Sequence, residues 1–124
     1  MLRDGYQHGF PESLWAAAKD EGREAMIARA RRRSLITYSD LVSEIKSIRF
    51  EPHDPRLFHF LGEISSDEDD AGRGLLTALV VHKVDMQPGD GFFVLAKARG
   101  RNTSDPVRFW AEELGRVYSV WRGQ

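Results

Sequence analysis

The chain contains no cysteine, which removes disulfides, zinc–thiolate centres and thiol catalysis from consideration at once. Long apolar runs are missing too. The longest, LLTALVV, is far too short to cross a bilayer, and the opening MLRDGYQHGF has no apolar core of the kind a secretory leader carries. The expected location is therefore cytoplasmic, with no membrane partner. No Walker loop, no G-x-S-x-G elbow and no H-x-x-x-H pair occurs. Gly72/Gly74 and Gly89/Gly91 each give only a G-x-G, short of a dinucleotide fingerprint. The stretch DEDDAG resembles a calcium loop, but Ala71 and Ala78 stand where ligand oxygens are needed. His59 and Glu63 share a helical spacing of four, which reads as a surface hydrogen bond before it reads as a metal pair. No catalytic residue, cofactor or metal is assigned, and the balance leans toward a non-enzymatic chain without closing the enzymatic reading.

What is present is a packed globule. The 124 residues are 41% hydrophobic with three Trp, seven Phe and three Tyr, enough for one domain with its own core. Net charge is −1, yet the charges are uneven. EISSDEDD, residues 63–70, carries five acids and no base, while Lys97, Arg99, Arg101, Arg108, Arg116 and Arg122 outnumber the acids of the last third. ARARRR adds Arg29, Arg31, Arg32 and Arg33. A near-neutral total thus leaves room for a basic face, the electrostatic footprint of nucleic-acid binding. Cations in the last turn of a helix, complementing its dipole, explain the arginine run equally well.

Periodicity predicts a mostly α, α+β domain spanning 1–124. A first helix runs over 11–33, with Pro11 at its first position and Trp15, Ala18, Gly22, Met26 and Ala30 as its buried stripe. After the extended piece SLIT, Thr37 caps a helix whose Tyr38, Leu41, Val42, Ile45 and Ile48 face the core. Asp54 and Pro55 open another, with Leu57, Phe58, Leu61 and Ile64 inward and Arg56, His59 and Glu63 outward; it frays through the acidic run and stops near Gly72. LLTALVVHKV, residues 75–84, reads as a buried strand pairing with SLIT or with another short piece. His82 stands at its rim, and Lys83 marks where it leaves the core. QPGDG is a turn; FFVLAKAR is left undecided between helix and strand. Asp105 and Pro106 open the last helix, 105–122, with Val107, Trp110, Leu114, Val117 and Trp121 on one face.

ITYSDLV resembles the TTYGDIA-type segment of the alkylguanine-DNA alkyltransferase C-terminal domain and the alkyltransferase-like proteins. The resemblance covers residues 34–93. DPRLFHFLGEI stands in the place of the family's DNA-entering helix, and LVVHKV in the place of its proline, cysteine, histidine, arginine, valine strand. GDGFF matches the glycine turn and aromatic that follow. It implies a winged-helix-like helix-turn-helix core. Val81 occupies the nucleophilic cysteine's position and Val80 the proline's, so methyl transfer is not implied. The resemblance implies a DNA partner, with Tyr38, Arg56, His59, His82 and Lys83 as the contact set. The C-terminal helix is instead similar to an uncharacterised family of small bacterial proteins.

The leading expectation is a non-catalytic nucleic-acid-binding module of winged-helix type that senses altered DNA. Two other readings stay open. One is a protein–protein adaptor or regulator of a bacterial system, docking through the C-terminal helix. The other is a small enzyme with a site near His82 and Lys83. The acidic run argues against DNA, because bare carboxylates repel a phosphate backbone.

Overall fold

A computed structural model describes residues 5–122. Met1 to Asp4, part of the segment read as lacking a leader, lie outside the described residues, as do Gly123 and Gln124. The described chain is α+β, mainly helical with two small sheets.

It opens on a hairpin that periodicity did not foresee. β1 (Tyr6–Gln7) pairs antiparallel with β2 (Phe10–Pro11). His8 and Gly9 between them hold φ of 53° and 89°, the two positive values that a tight two-residue connection requires. α1 follows at Glu12–Arg31, so Pro11 is its cap rather than its first residue. The expected stripe of Trp15, Ala18, Gly22, Met26 and Ala30 is buried, with Ala25 and Ile27 added. The helix ends sooner than 33 because Arg33 turns left-handed, φ 54°. Its N–H returns to the Ala30 carbonyl, and that of Ser34 to Arg29, a Schellman closure built without glycine.

β3 (Ile36–Thr37) leads directly into α2 (Tyr38–Glu44). The Thr37 hydroxyl accepts from the Asp40 N–H at 3.1 Å, as the capping pattern predicts. Thr37→Ala is expected to cost about 1 kcal/mol, read as a lower denaturant midpoint at unchanged slope; an unmoved midpoint would show that the cap contributes nothing. The helix stops at Glu44, short of the expected Ile48, yet Ile45 and Ile48 are buried as predicted. Glu21 explains the break. Its carboxylate accepts the N–H groups of Lys46 and Ser47, each at 2.8 Å, and the Ser47 hydroxyl at 2.7 Å, satisfying backbone that would otherwise propagate the helix.

α3 (Arg56–Asp70) is regular through the acidic run rather than frayed. Its buried face carries Leu57, Phe60, Leu61 and Ile64. Leu57, Leu61 and Ile64 are buried as expected, but Phe58 is 45% exposed and Phe60 takes its place in the stripe. Gly72, φ 80°, ends the helix where expected.

LLTALVVHKV is the main departure. Leu76–Leu79 form a 3-10 turn, and only β4 (Val80–Val81) is strand. Burial is continuous only from Leu75 to Val81, with His82, Lys83 and Val84 exposed, and a fully buried stretch suits a tight helical turn inside the core as well as a two-sided strand. Of the two partners left open, it is SLIT: β4 lies parallel to β3, Ile36 opposite Val80 and Thr37 opposite Val81. α4 (Asp90–Ala98) settles FFVLAKAR as helix. α5 (Pro106–Trp121) is capped by Asp105, whose carboxylate accepts from the Arg108 N–H at 3.3 Å. Phe109, Glu113, Val117 and Trp121 are its buried residues, whereas Val107, expected inward, is 65% exposed. Trp110 is partly covered and donates its indole N–H to the Ala78 carbonyl at 2.7 Å. α1, α2, α3 and α5 enclose the main core; Leu75, Ala78, Phe92, Ala96 and Phe109 form a second cluster under α4.

Candidate functional site

The β3–β4 pairing has a local consequence. Tyr38 begins the helix after β3 and His82 follows β4 directly, so parallel register brings the two rings together. They stack with centroids 4.7 Å apart. Gly89 closes against the pair: a Cβ there would stand 3.0 Å from His82 Nε2 and 3.1 Å from the Tyr38 hydroxyl. The Gly89 N–H donates to that hydroxyl. Burial raises the tyrosine pKa above its ordinary value, only partly offset by this hydrogen bond, so Tyr38 is a neutral phenol at physiological pH.

Gly91, two residues on, plays the same part toward a second ring. A Cβ on it would lie 2.5 Å from Phe58 Cδ2, which no side chain could tolerate without moving the phenyl ring. The two glycines of PGDG thus let the start of α4 settle between two aromatic walls. That is a packing reason for glycine beyond the turn itself.

Between these walls lies an open pocket of about 280 Å³, near the lower end of small-ligand sites. Tyr38 and His82 form one side; Phe58, Leu61 and Gly62 of α3 form another; Gly89, Asp90 and Phe92 bring α4 to it. Pro52, His53 and Asp54 come from the loop before α3. Thr77 lines it from within, its hydroxyl paired with Ser65 at 2.6 Å. Gly62 leaves room, since a Cβ on it would meet nothing within 4 Å.

Of the five residues predicted as contacts, Tyr38 and His82 share this pocket. The others do not line it. Arg56 folds back on Asp54, giving Nε at 3.0 Å and Nη2 at 2.7 Å, and its guanidinium lies 4.4 Å from the Phe10 ring centre. Hydrogen bonding from Arg56 holds the Asp54 carboxyl below its usual range against the opposing pull of burial. His59 lines a shallower cleft beside Phe58 and Glu63, and stacks on His8 at 4.7 Å. The predicted His59–Glu63 bond does not form; Glu63 accepts from the Trp15 indole and Lys19, each at 3.0 Å. Lys83 is exposed in the loop beyond β4, as expected where the chain leaves the core. His53, Asp54 and Asp90 were missed as pocket residues. The Asp54–Pro55 helix start and the QPGDG turn were the available signals, both read only as punctuation.

The charge pattern also changes meaning. Glu68 of the acidic run is buried and bonded by Arg23 and Arg73. Asp69 takes Arg99 at 2.7 Å and Arg101 at 2.6 Å, and Arg99 also holds Asp70. Arg101 reaches Glu113, which accepts the Leu75 N–H at 2.8 Å. The acidic helix end is therefore largely neutralised, and several arginines counted toward a basic face are spent inside the domain. Among the described residues, no group of three or more His, Asp or Glu is arranged to hold a metal ion, and no helix is long and apolar enough to cross a membrane.

Searches of family models, curated proteins and solved structures find no significant match to this chain.

Proposed function

We propose that the chain is a non-catalytic nucleic-acid-binding module, of winged-helix type, whose pocket receives a base turned out of its stack. The observation that carries this reading is the Tyr38–His82 stack at an open pocket with Phe58 on another wall. Flat aromatic surfaces around a space of this size suit a planar heterocycle, because every base has a π-face to lay against them. Two further facts support it. The Tyr38 and His82 segments, which carry the alkyltransferase resemblance, lie side by side through the β3–β4 pair. Glu68, Asp69 and Asp70 of the acidic run are paired with arginines, which weakens the electrostatic objection to a phosphate partner. Arg56 keeps its Nη1 edge free of hydrogen bonds among the described residues, so a phosphate oxygen can be met there.

The test is a gel shift with intact duplex, mismatched duplex and single-stranded DNA at low and moderate salt. Single-stranded and mismatched DNA should bind best, since an unpaired base costs less to extrude, and all three should weaken as salt rises. Tyr38→Ala should cost about 1–3 kcal/mol of binding, as for one lost base stack, roughly a 5- to 150-fold loss of affinity. Gly62→Phe should do the same by filling the pocket. No retardation of any DNA at low salt, or equal binding by both variants, sinks the proposal.

One observation favours the enzymatic alternative: His53, Asp54, His82 and Asp90 converge on the same pocket, where acid–base groups near a bound ligand have catalytic potential. A hydrolytic or transfer activity abolished by His82→Ala, with folding intact, would replace the binding-module reading.

A further inference from the structure

The chain leaving the pocket wall makes a small closed loop. The His82 N–H donates to the Gln87 carbonyl at 2.9 Å, and the Met86 N–H returns to the His82 carbonyl at 2.8 Å. The exposed Asp85 carboxylate accepts the Gln87 N–H at 3.0 Å. Residues 83–86 are therefore fixed at their base by three hydrogen bonds, yet they cover nothing. Val84 is 99% exposed and Met86 44% exposed. Met86 also holds φ at 56°, a left-handed conformation that a long side chain adopts at a cost. Strain of this kind persists where the surrounding structure imposes it and tends to gather at functional sites.

We infer that this loop is a wedge that enters the base stack beside the pocket. Val84 and Met86 fill the gap left by the base that turns toward Tyr38, and Lys83 meets the neighbouring phosphate. The inference rests on the nucleic-acid reading above and goes beyond it by assigning the element that separates the bases. One or two apolar side chains on a firm support suffice to unstack a base step. A lipid surface calls for a broader apolar face ringed by cations, whereas here one lysine and one aspartate flank the tip. The loop's anchor, His82, is also a wall of the pocket, so the wedge stands beside the place where the displaced base would go.

The experiment uses the whole chain with duplex and single-stranded oligonucleotides that carry 2-aminopurine at one central position. This base brightens when it is unstacked. Wild-type protein should raise its fluorescence in the duplex. Val84→Ser, at a fully exposed position, should leave the melting temperature and single-strand affinity unchanged. It should bind duplex about tenfold more weakly, with the fluorescence rise lost. A Val84→Ser protein that binds duplex and brightens the probe like wild type overturns the wedge while leaving the binding module standing. So does an equal loss on single strands, where there is no stack to open. Wild-type binding to anionic vesicles that disappears in Val84→Ser would assign the loop to a lipid surface and overturn the wedge as well. Wild-type protein that binds neither oligonucleotide removes both the module and the wedge.

Discussion

Phe60→Ala is expected to lower the free energy of unfolding by about 3–5 kcal/mol. Phe60 is completely buried on α3. Its ring meets Trp15 edge-on at 5.3 Å and Phe50 at 4.9 Å. Across from it, α1 offers Gly22, where a Cβ would stand 3.3 Å from Phe60 Cε1. A ring packed against bare backbone on one side and two aromatic rings on others leaves a hole that its neighbours cannot collapse to fill, and the unfilled hole adds to the lost transfer energy. Folded domains hold only about 5–15 kcal/mol in total, so urea titration of the variant should show a midpoint at least about a fifth below the wild-type value at unchanged slope. A loss below about 1 kcal/mol would show that α1 and α3 do not meet through this ring.

Glu68→Ala is expected to cost about 3 kcal/mol, at the low end for breaking a buried ion pair, because water can still reach the partners left behind. The carboxylate is 1% exposed and takes Arg23 from α1 and Arg73 from the turn after α3. Both guanidiniums also lie near the Trp121 ring, at 5.6 and 5.9 Å from its centre. Burial pushes the Glu68 pKa up, but the hydrogen bonds and charges of Arg73 and Arg23 together outweigh it, leaving the group below its ordinary value of 4.5. A carboxylate with a depressed folded pKa adds stability above its unfolded pKa and loses it as pH falls through the folded one. Asp69 acts in the same direction, lowered chiefly by the Arg101 hydrogen bond. Wild-type stability should therefore decline below about pH 4.5, and Glu68→Ala should decline less steeply there. Parallel profiles for the two proteins would mean that Glu68 carries none of the acid sensitivity.

Helix positions and one strand pairing were legible from the sequence because their signals are local. Thr37 and Asp105 cap the helices they were expected to cap, and Gly72 stops α3. The errors arose where a local signal has two solutions. An all-buried run satisfies both a strand and a 3-10 turn, so Leu75–Leu79 were misread. Ile45 and Ile48 kept helical spacing after the helix had ended, since the following bend, held by Glu21, still points them inward. Phe58 and Phe60 are both aromatic on one helix, and Phe60, three residues after Leu57 and four before Ile64, keeps the helical spacing that Phe58 breaks.

The charge network was invisible for a different reason. Arg99 and Arg101 find Asp69 some thirty positions away, and composition cannot distinguish an arginine spent on such a partner from one left to meet a phosphate. The pocket was half legible. Tyr38 and His82 carried the resemblance, whereas His53, Asp54 and Asp90 sit in turns whose residues were read for their backbone role alone.

The pairing of Ile36 with Val80 and of Thr37 with Val81 also bears on the order in which the molecule comes together. A ladder this short cannot offset the entropy of closing so long a loop. Contacts near in sequence form first, and distant ones follow once they have something to rest on. The Tyr38–His82 wall is thus expected to be completed after α1, α3 and the 3-10 turn have met. A chain stalled on its way to the native state would hold helices without a place for a ligand. The population competent to bind is then the fully folded one, and a ligand seated there holds together the two ends of that loop.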